Sequence, residues 1–271
     1  MRQAFTRLLF VCATVLLLAL AAVPVAYAHA ALLATMPADD AVVGVAPRAA
    51  ELRFNEPVSP LAIKLLGPHG SGRDLLDATQ GGETVTVTLP QAMPQGTYLL
   101  SWRVVSTDGH PIGGSLVFSV GAVSEVAPEL APTDRAVAAI LWASKAVLFT
   151  ALLGGIGGIV FGAVTPLPAV CQRLCTILVV LGLVAVPVSL AMQGLDALDL
   201  PLASIGDGKV WTAALSTSYG VTAATAMVAF ALSLAALATG RSRISGLLAL
   251  LALATGALAI AMSGHASAAS P

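Results

Sequence analysis

Residues 84–89 read Thr-Val-Thr-Val-Thr-Leu, a strict alternation of polar and apolar side chains. Successive side chains of a strand point to opposite faces, so this stretch presents one apolar and one polar face. That is the pattern of a half-buried β-strand, not of a helix. The same period recurs on either side. Tyr98, Leu100, Trp102 and Val104 line one face of the run from Thr97 to Val105, and Leu116, Phe118 and Val120 repeat the pattern. Ala50 to Phe54 and Leu61 to Leu66 are shorter candidates. Between them stand turn-forming clusters: Gly67-Pro68-His69-Gly70, Gly81-Gly82 and Met93-Pro94-Gln95-Gly96. Several short strands punctuated in this way predict an all-β domain, a sandwich or small barrel.

Beyond residue 134 the pattern changes. Four apolar runs, roughly 136–164, 174–193, 217–239 and 244–264, are each long enough to cross a bilayer core of about 30 Å. Charge divides the same way. Residues 29–121 carry 5 Lys/Arg and 8 Asp/Glu, whereas the 137 positions of 135–271 carry 6 and 3. The whole chain is 57% hydrophobic and 10% charged. Residues 122–134, with Pro128, Pro132, Glu125, Glu129 and Asp134, read as a short extended linker. A net charge of −1 without a basic patch argues against a nucleic-acid partner.

Residues 1–28 read as a secretory signal peptide. Arg2 and Arg7 form its basic start, an apolar stretch runs from about Leu8 to Ala22, and Ala26-Tyr27-Ala28 forms the cleavage site. Removal of this peptide makes His29 the first residue of the mature chain. If the β domain is exported, the first span enters from outside. Arg173 then lies in an inner loop, as do Arg241 and Arg243, while Asp196, Asp199, Asp207 and Lys209 lie in an outer one. This agrees with the positive-inside rule. It places the β domain and the C-terminus on the outer side. Cys171 and Cys175, four apart near the inner side, are read as packing residues that stay reduced.

An N-terminal His29 offers its amine and its ring Nδ1 to one metal ion in a six-membered chelate. Asp108-Gly109-His110 adds a carboxylate and an imidazole at i and i+2, which an extended strand or turn projects to one side. Amine, imidazole and carboxylate suit Cu(II). Lys145, within the first span, is read either as functional or as reaching toward the outer surface. Gly154-Gly155 and Gly157-Gly158 are read as sites of close helix contact.

His29, Arg53-Phe54-Asn55-Glu56-Pro57-Val58 and Ser106-Thr107-Asp108-Gly109-His110-Pro111, followed by Gly113 and Phe118, resemble the CopC family of periplasmic copper-binding proteins across residues 29–121. The resemblance implies a Greek-key β-barrel or immunoglobulin-like sandwich. It implies a Cu(II) site of His29, Asp108 and His110. Glu56 matches an acidic position near that site, either a weak ligand or a hydrogen-bonding partner of an imidazole. Some relatives carry a methionine-rich Cu(I) loop; here Met36 and Met93 are isolated, so one Cu(II) site is expected. His69, in a Gly/Pro turn, is expected to be solvated. Leu215-Ser216-Thr217-Ser218-Tyr219-Gly220 and Ser263-Gly264-His265-Ala266 resemble the start of CopD, the inner-membrane partner of CopC. The topology puts His265 at the outer end of the last span, where it is either a further candidate ligand or an interfacial residue, and Met192 and Met262 near outer helix ends, where packing is the usual role. CopD-like proteins usually continue with more helices than this sequence holds.

The expected function is Cu(II) capture by a membrane-tethered periplasmic domain in copper homeostasis, uptake or resistance, with a CopD-like or other copper-transport partner. Two alternatives stand beside it. One is a copper-dependent oxidase with an N-terminal histidine brace, against which Asp108 would fill a position that such enzymes leave for oxygen. The other is a docking protein without tight copper binding. The non-enzymatic reading is the one adopted.

Overall fold

The computed structural model describes residues 30–263, apart from 69, 71, 76, 127 and 130–133. His29, His69 and His265 therefore lie outside the described residues.

Among the described residues nine strands form two sheets: β1 (Leu32–Met36), β2 (Ala41–Val43), β3 (Ala49–Phe54), β4 (Ser59–Leu66), β5 (Gly72–Asp74), β6 (Ala78–Gly81), β7 (Thr84–Thr88), β8 (Gly96–Val105) and β9 (Pro111–Val120). One sheet runs β1-β3-β7-β6 and the other β2-β9-β8-β4-β5. All pairs are antiparallel except β2 with β9. The five strands expected from alternation are all present. The four others are short and mostly exposed, so no apolar face announced them. Val85 and Val87 face inward from the opening stretch, as its period requires. Phe54, Leu100, Leu116 and Phe118 are fully buried between the sheets. Phe54 meets Trp102 edge-on, with ring centroids 5.3 Å apart, and Tyr98 stacks on Phe118 at 5.7 Å. Gly114, opposite Trp102 in register, has no room for a Cβ against the indole.

Among the described residues four helical stretches, Arg135–Val164, Ala169–Leu198, Ser218–Ala238 and Arg243–Met262, are long and apolar enough to cross a membrane. The first consists of α1 (Arg135–Thr150), a π-helical segment (Ala151–Ile156) and α2 (Gly157–Val164); the second is α3 (Ala169–Leu198). The third and fourth are α5 (Ser218–Ala238) and α6 (Arg243–Met262). Their shared core is small: Ala226, Ala229, Ala252 and Ala259 are buried together with Phe230. Gly155 lies against Val179 and Gly158 against Cys175, so two of the four singled-out glycines do mark close helix contacts. Cys175 packs against this core, in line with the packing role read for the pair.

One expectation changes. The region 194–216 is not an open loop. α3 continues to Leu198, and a 3-10 turn (Leu202–Gly206) and a short helix α4 (Gly208–Ser216) follow. Asp207 caps α4 by accepting from Lys209 N–H at 3.1 Å, and Val210 is buried beneath. The charged residues that suggested a loop are thus helix ends and caps. The linker, in turn, is pinned at both ends. Ser124 exchanges two 2.8 Å hydrogen bonds with Thr97. Asp134 accepts from Ala136 N–H at 2.9 Å and from Leu202 N–H at 3.0 Å, and these bonds hold its carboxyl below the ordinary value.

Candidate metal centre

Asp108 and His110 sit in the five-residue connection between β8 and β9, whose last pair is Val105 with Pro111. They converge through a tight turn and not through strand alternation. Ser106 N–H donates to His110 O at 3.0 Å, and Gly109 N–H donates to Ser106 O at 2.9 Å. Closing that turn puts Gly109 at φ +79, in the left-handed region that glycine enters without penalty. Ser106 Oγ donates to His110 O at 2.9 Å and also bonds Asp108 Oδ1. His110 N–H donates to the same Oδ1 at 3.1 Å. The other oxygen, Asp108 Oδ2, is thereby aimed at His110 Nδ1, 3.1 Å away.

Burial pushes the Asp108 carboxyl up, but the Ser106 hydroxyl, the His110 N–H and the His110 ring outweigh it. The net effect is a pKa below the ordinary carboxylate value. Asp108 is therefore an anion at neutral pH, with a side chain only 7% exposed.

Glu56 comes to this turn from the β3–β4 connection. Its Oε2 accepts from Thr107 Oγ at 2.8 Å. Its Oε1 is buried and has no hydrogen-bond partner among the described residues. A buried carboxylate oxygen without a donor is costly unless a cation or donor meets it. The neighbouring Asn55 ties down the start of the described chain: its Oδ1 accepts from Ala31 N–H at 2.6 Å, and its N–H donates to Ala31 O at 3.1 Å. The role of Asn55 was not foreseen; the sequence signal available was only its place beside Glu56. Among the described residues no three of His, Cys, Asp or Glu gather as a metal-binding group. Lys145 points into the bundle, donating to Gln193 Oε1 at 2.7 Å and lying 4.8 Å from the Tyr219 ring centre. Met192 is buried in the outer core with Leu195 and Val210.

The fold and this turn define a β-sandwich with a carboxylate–imidazole pair at one edge, carried on a bundle built to cross a membrane. Residues 32–121 match the family model of the CopC domain, and residues 134–270 match that of the copper resistance protein D-like, N-terminal domain. The chain belongs to the copper resistance protein D-like family and carries a CopC domain. It is similar to "Copper transport protein CutJ" of Bacillus subtilis (strain 168), 32% identical over 154 residues. That match takes in 54% of this chain and 28% of the relative, so the chain spans about a quarter of CutJ's length. It is also similar to "Protein YobA" of Escherichia coli (strain K12), 37% identical over 102 residues, which is 36% of this chain and 82% of that one. Among solved structures, CopC from Methylosinus trichosporium OB3b is 25% identical, with a TM-score of 0.31, over 38% of this chain and 99% of that one.

Proposed function

We propose that this protein captures Cu(II) outside the bacterial inner membrane, with its exported β domain tethered beside the bundle, and that it serves copper uptake, homeostasis or resistance. The ligands are the amine and ring of His29, the carboxylate of Asp108 and the ring of His110. Glu56 supplies a weak ligand or steadies an imidazole.

The observation that carries this reading is the Asp108–His110 pair, with Glu56 bonded to Thr107 of the same turn. Asp108 Oδ2 lies 3.1 Å from His110 Nδ1, and Glu56 leaves one buried oxygen without a donor. A donor set of this kind fits a cation that takes hard oxygen and borderline nitrogen ligands. The anchoring of Ala31 by Asn55, the neighbour of Glu56, supports the third ligand. The names of the relatives, a copper transport protein among them, agree with copper as cargo. His265, three residues past the end of α6 at Met262, is retained as a candidate receiving ligand.

N-terminal sequencing of the mature protein with a Cu(II) titration tests the reading. A mature chain beginning at His29 should bind one Cu(II), and one extra residue before His29 should weaken binding by about two orders of magnitude or more, because the bidentate chelate is lost. Asp108→Ala and His110→Ala should each lower affinity. Unchanged affinity in the extended protein overturns the role of the amine. Binding should also fall on acidification, since an α-amine of pKa about 7.7–8.0 must lose its proton to ligate.

A further inference from the structure

The turn that carries Asp108 and His110 touches the membrane half directly. The Gly109 carbonyl accepts a hydrogen bond from Ser218 N–H at 2.9 Å. Ser218 is the first residue of α5, and its N–H would otherwise be one of the unsatisfied donors of a helix start. The fit is close. A Cβ on Gly109 would stand 2.7 Å from Ser218 N and 2.9 Å from Ser218 Cβ, so only glycine allows the approach.

A second, independent contact lies on β8. Arg103 Nη2 stands 3.6 Å from Asp199 Oδ1, at the left-handed end of α3. Arg103 reaches there because Gly113, its partner in register, carries no side chain; a Cβ there would meet Arg103 Cδ at 2.6 Å. Beside this second contact the two halves enclose a crevice of about 510 Å³, bordered by Lys64, Asp74 and Arg103 on one side and Asp134, Asp199 and Lys209 on the other.

What lies under the contact is polar. Tyr219, next to Ser218, is buried and donates from its hydroxyl to Ser189 Oγ at 2.8 Å. Its ring faces Lys145, which in turn holds Gln193. Polar side chains within a membrane bundle are costly and usually face a partner or a wet cavity. Here they form a connected cluster that begins at Tyr219, the residue after the Ser218 on which the turn rests.

We propose that the Ser106–His110 turn is a latch: docked on Ser218, it closes the outer end of the bundle over the Lys145–Gln193–Tyr219–Ser189 cluster, and undocking is the step that opens the metal edge to an outside acceptor. The latch itself is a contact within the protein; its effect on metal release rests on the Cu(II) reading above.

Ser218→Pro tests it in the full-length protein in lipid nanodiscs. Proline fits the first position of a helix, and Thr217, at φ −89 and ψ 164, already has the extended backbone that precedes proline. The change therefore removes the donor to Gly109 and leaves α5 able to form. Ser218→Ala keeps the donor. In the metal-free protein, amide exchange across 106–112 should quicken roughly tenfold in S218P, the effect of losing one hydrogen bond and stranding its acceptor, and stay unchanged in S218A. In the Cu(II)-loaded protein, removal of copper by EDTA should accelerate in S218P and not in S218A. Asp199→Asn keeps a residue tolerant of left-handed backbone and removes the charge; it should quicken both by about two- to threefold, and it serves where S218P does not fold. Unaltered exchange in both S218P and D199N overturns the latch, as does equal acceleration in S218A and S218P. A wild-type protein that holds no copper, yet shows the exchange difference, overturns the Cu(II) reading and leaves the docking in place.

Discussion

The two halves of this chain are packed by different rules. In the β domain the large side chains go inside: Phe54, Phe118, Leu100 and Leu116 are wholly buried, while threonines and charged residues face out. In the bundle small residues share the inside with a few large ones, Leu148, Ile156 and Phe230. Ala226, Ala229, Ala252, Ala259 and Gly182 fill the contacts, and Leu247, Leu250, Leu251, Val184 and Phe161 are exposed. Water explains the first arrangement, because burying apolar area is what drives that domain to fold. Lipid explains the second. A leucine gains little by leaving hydrocarbon for protein, so close backbone approach and van der Waals contact decide the interior.

The sharpest way to break this contrast is to truncate a large core residue of the sandwich. Phe118→Ala removes a buried ring stacked on Tyr98 and should cost about 3–5 kcal/mol, read as the loss of denaturant resistance of β8 and β9 amides. In the bundle the damaging change runs the other way. A Cβ at Gly182 would collide with Phe230 and with Ala151 Cβ, so Gly182→Val should cost about 1–3 kcal/mol in SDS-driven unfolding. A bundle as stable as wild type would show that small residues there are incidental.

Acid should separate the halves in a further, smaller way. Asp108 has a folded pKa below its ordinary 3.8. A depressed carboxylate contributes stability that is fully present above the unfolded value and is lost as pH falls through the folded one. The metal-free β domain should therefore weaken below about pH 4, and Asp108→Asn should flatten that part of the curve. The same slope in wild type and variant would contradict it. Least of all, Leu250→Ala on the exposed face of α6 should stay within about 0.5 kcal/mol. A larger loss would mean that this face meets a partner instead of lipid.

Much of this was legible in the residues. Five strands and four spans follow from period and length, and both are local properties of the chain. β2, β5 and β6 left no such trace, being three or four residues long and largely solvent-exposed. At the site, Asp108 and His110 were readable from their spacing, though a left-handed glycine turn brings them together and an extended strand does not. Thr107 bonding Glu56 spans 51 positions, and Asn55 holding Ala31 spans 24, so neither could be read from spacing.

The sequence by itself determined what depends on neighbours along the chain: which segments alternate, which can span a bilayer, and that a carboxylate and an imidazole stand two residues apart. Only the tertiary structure decided that Thr107 bonds Glu56, that Lys145 turns inward to Gln193, and that Gly109 rests on Ser218. Periodicity and covalent spacing are written in order along a chain. Contacts between distant segments are chosen by packing, where the absence of one Cβ at Gly109 or Gly113 determines how closely two surfaces can meet.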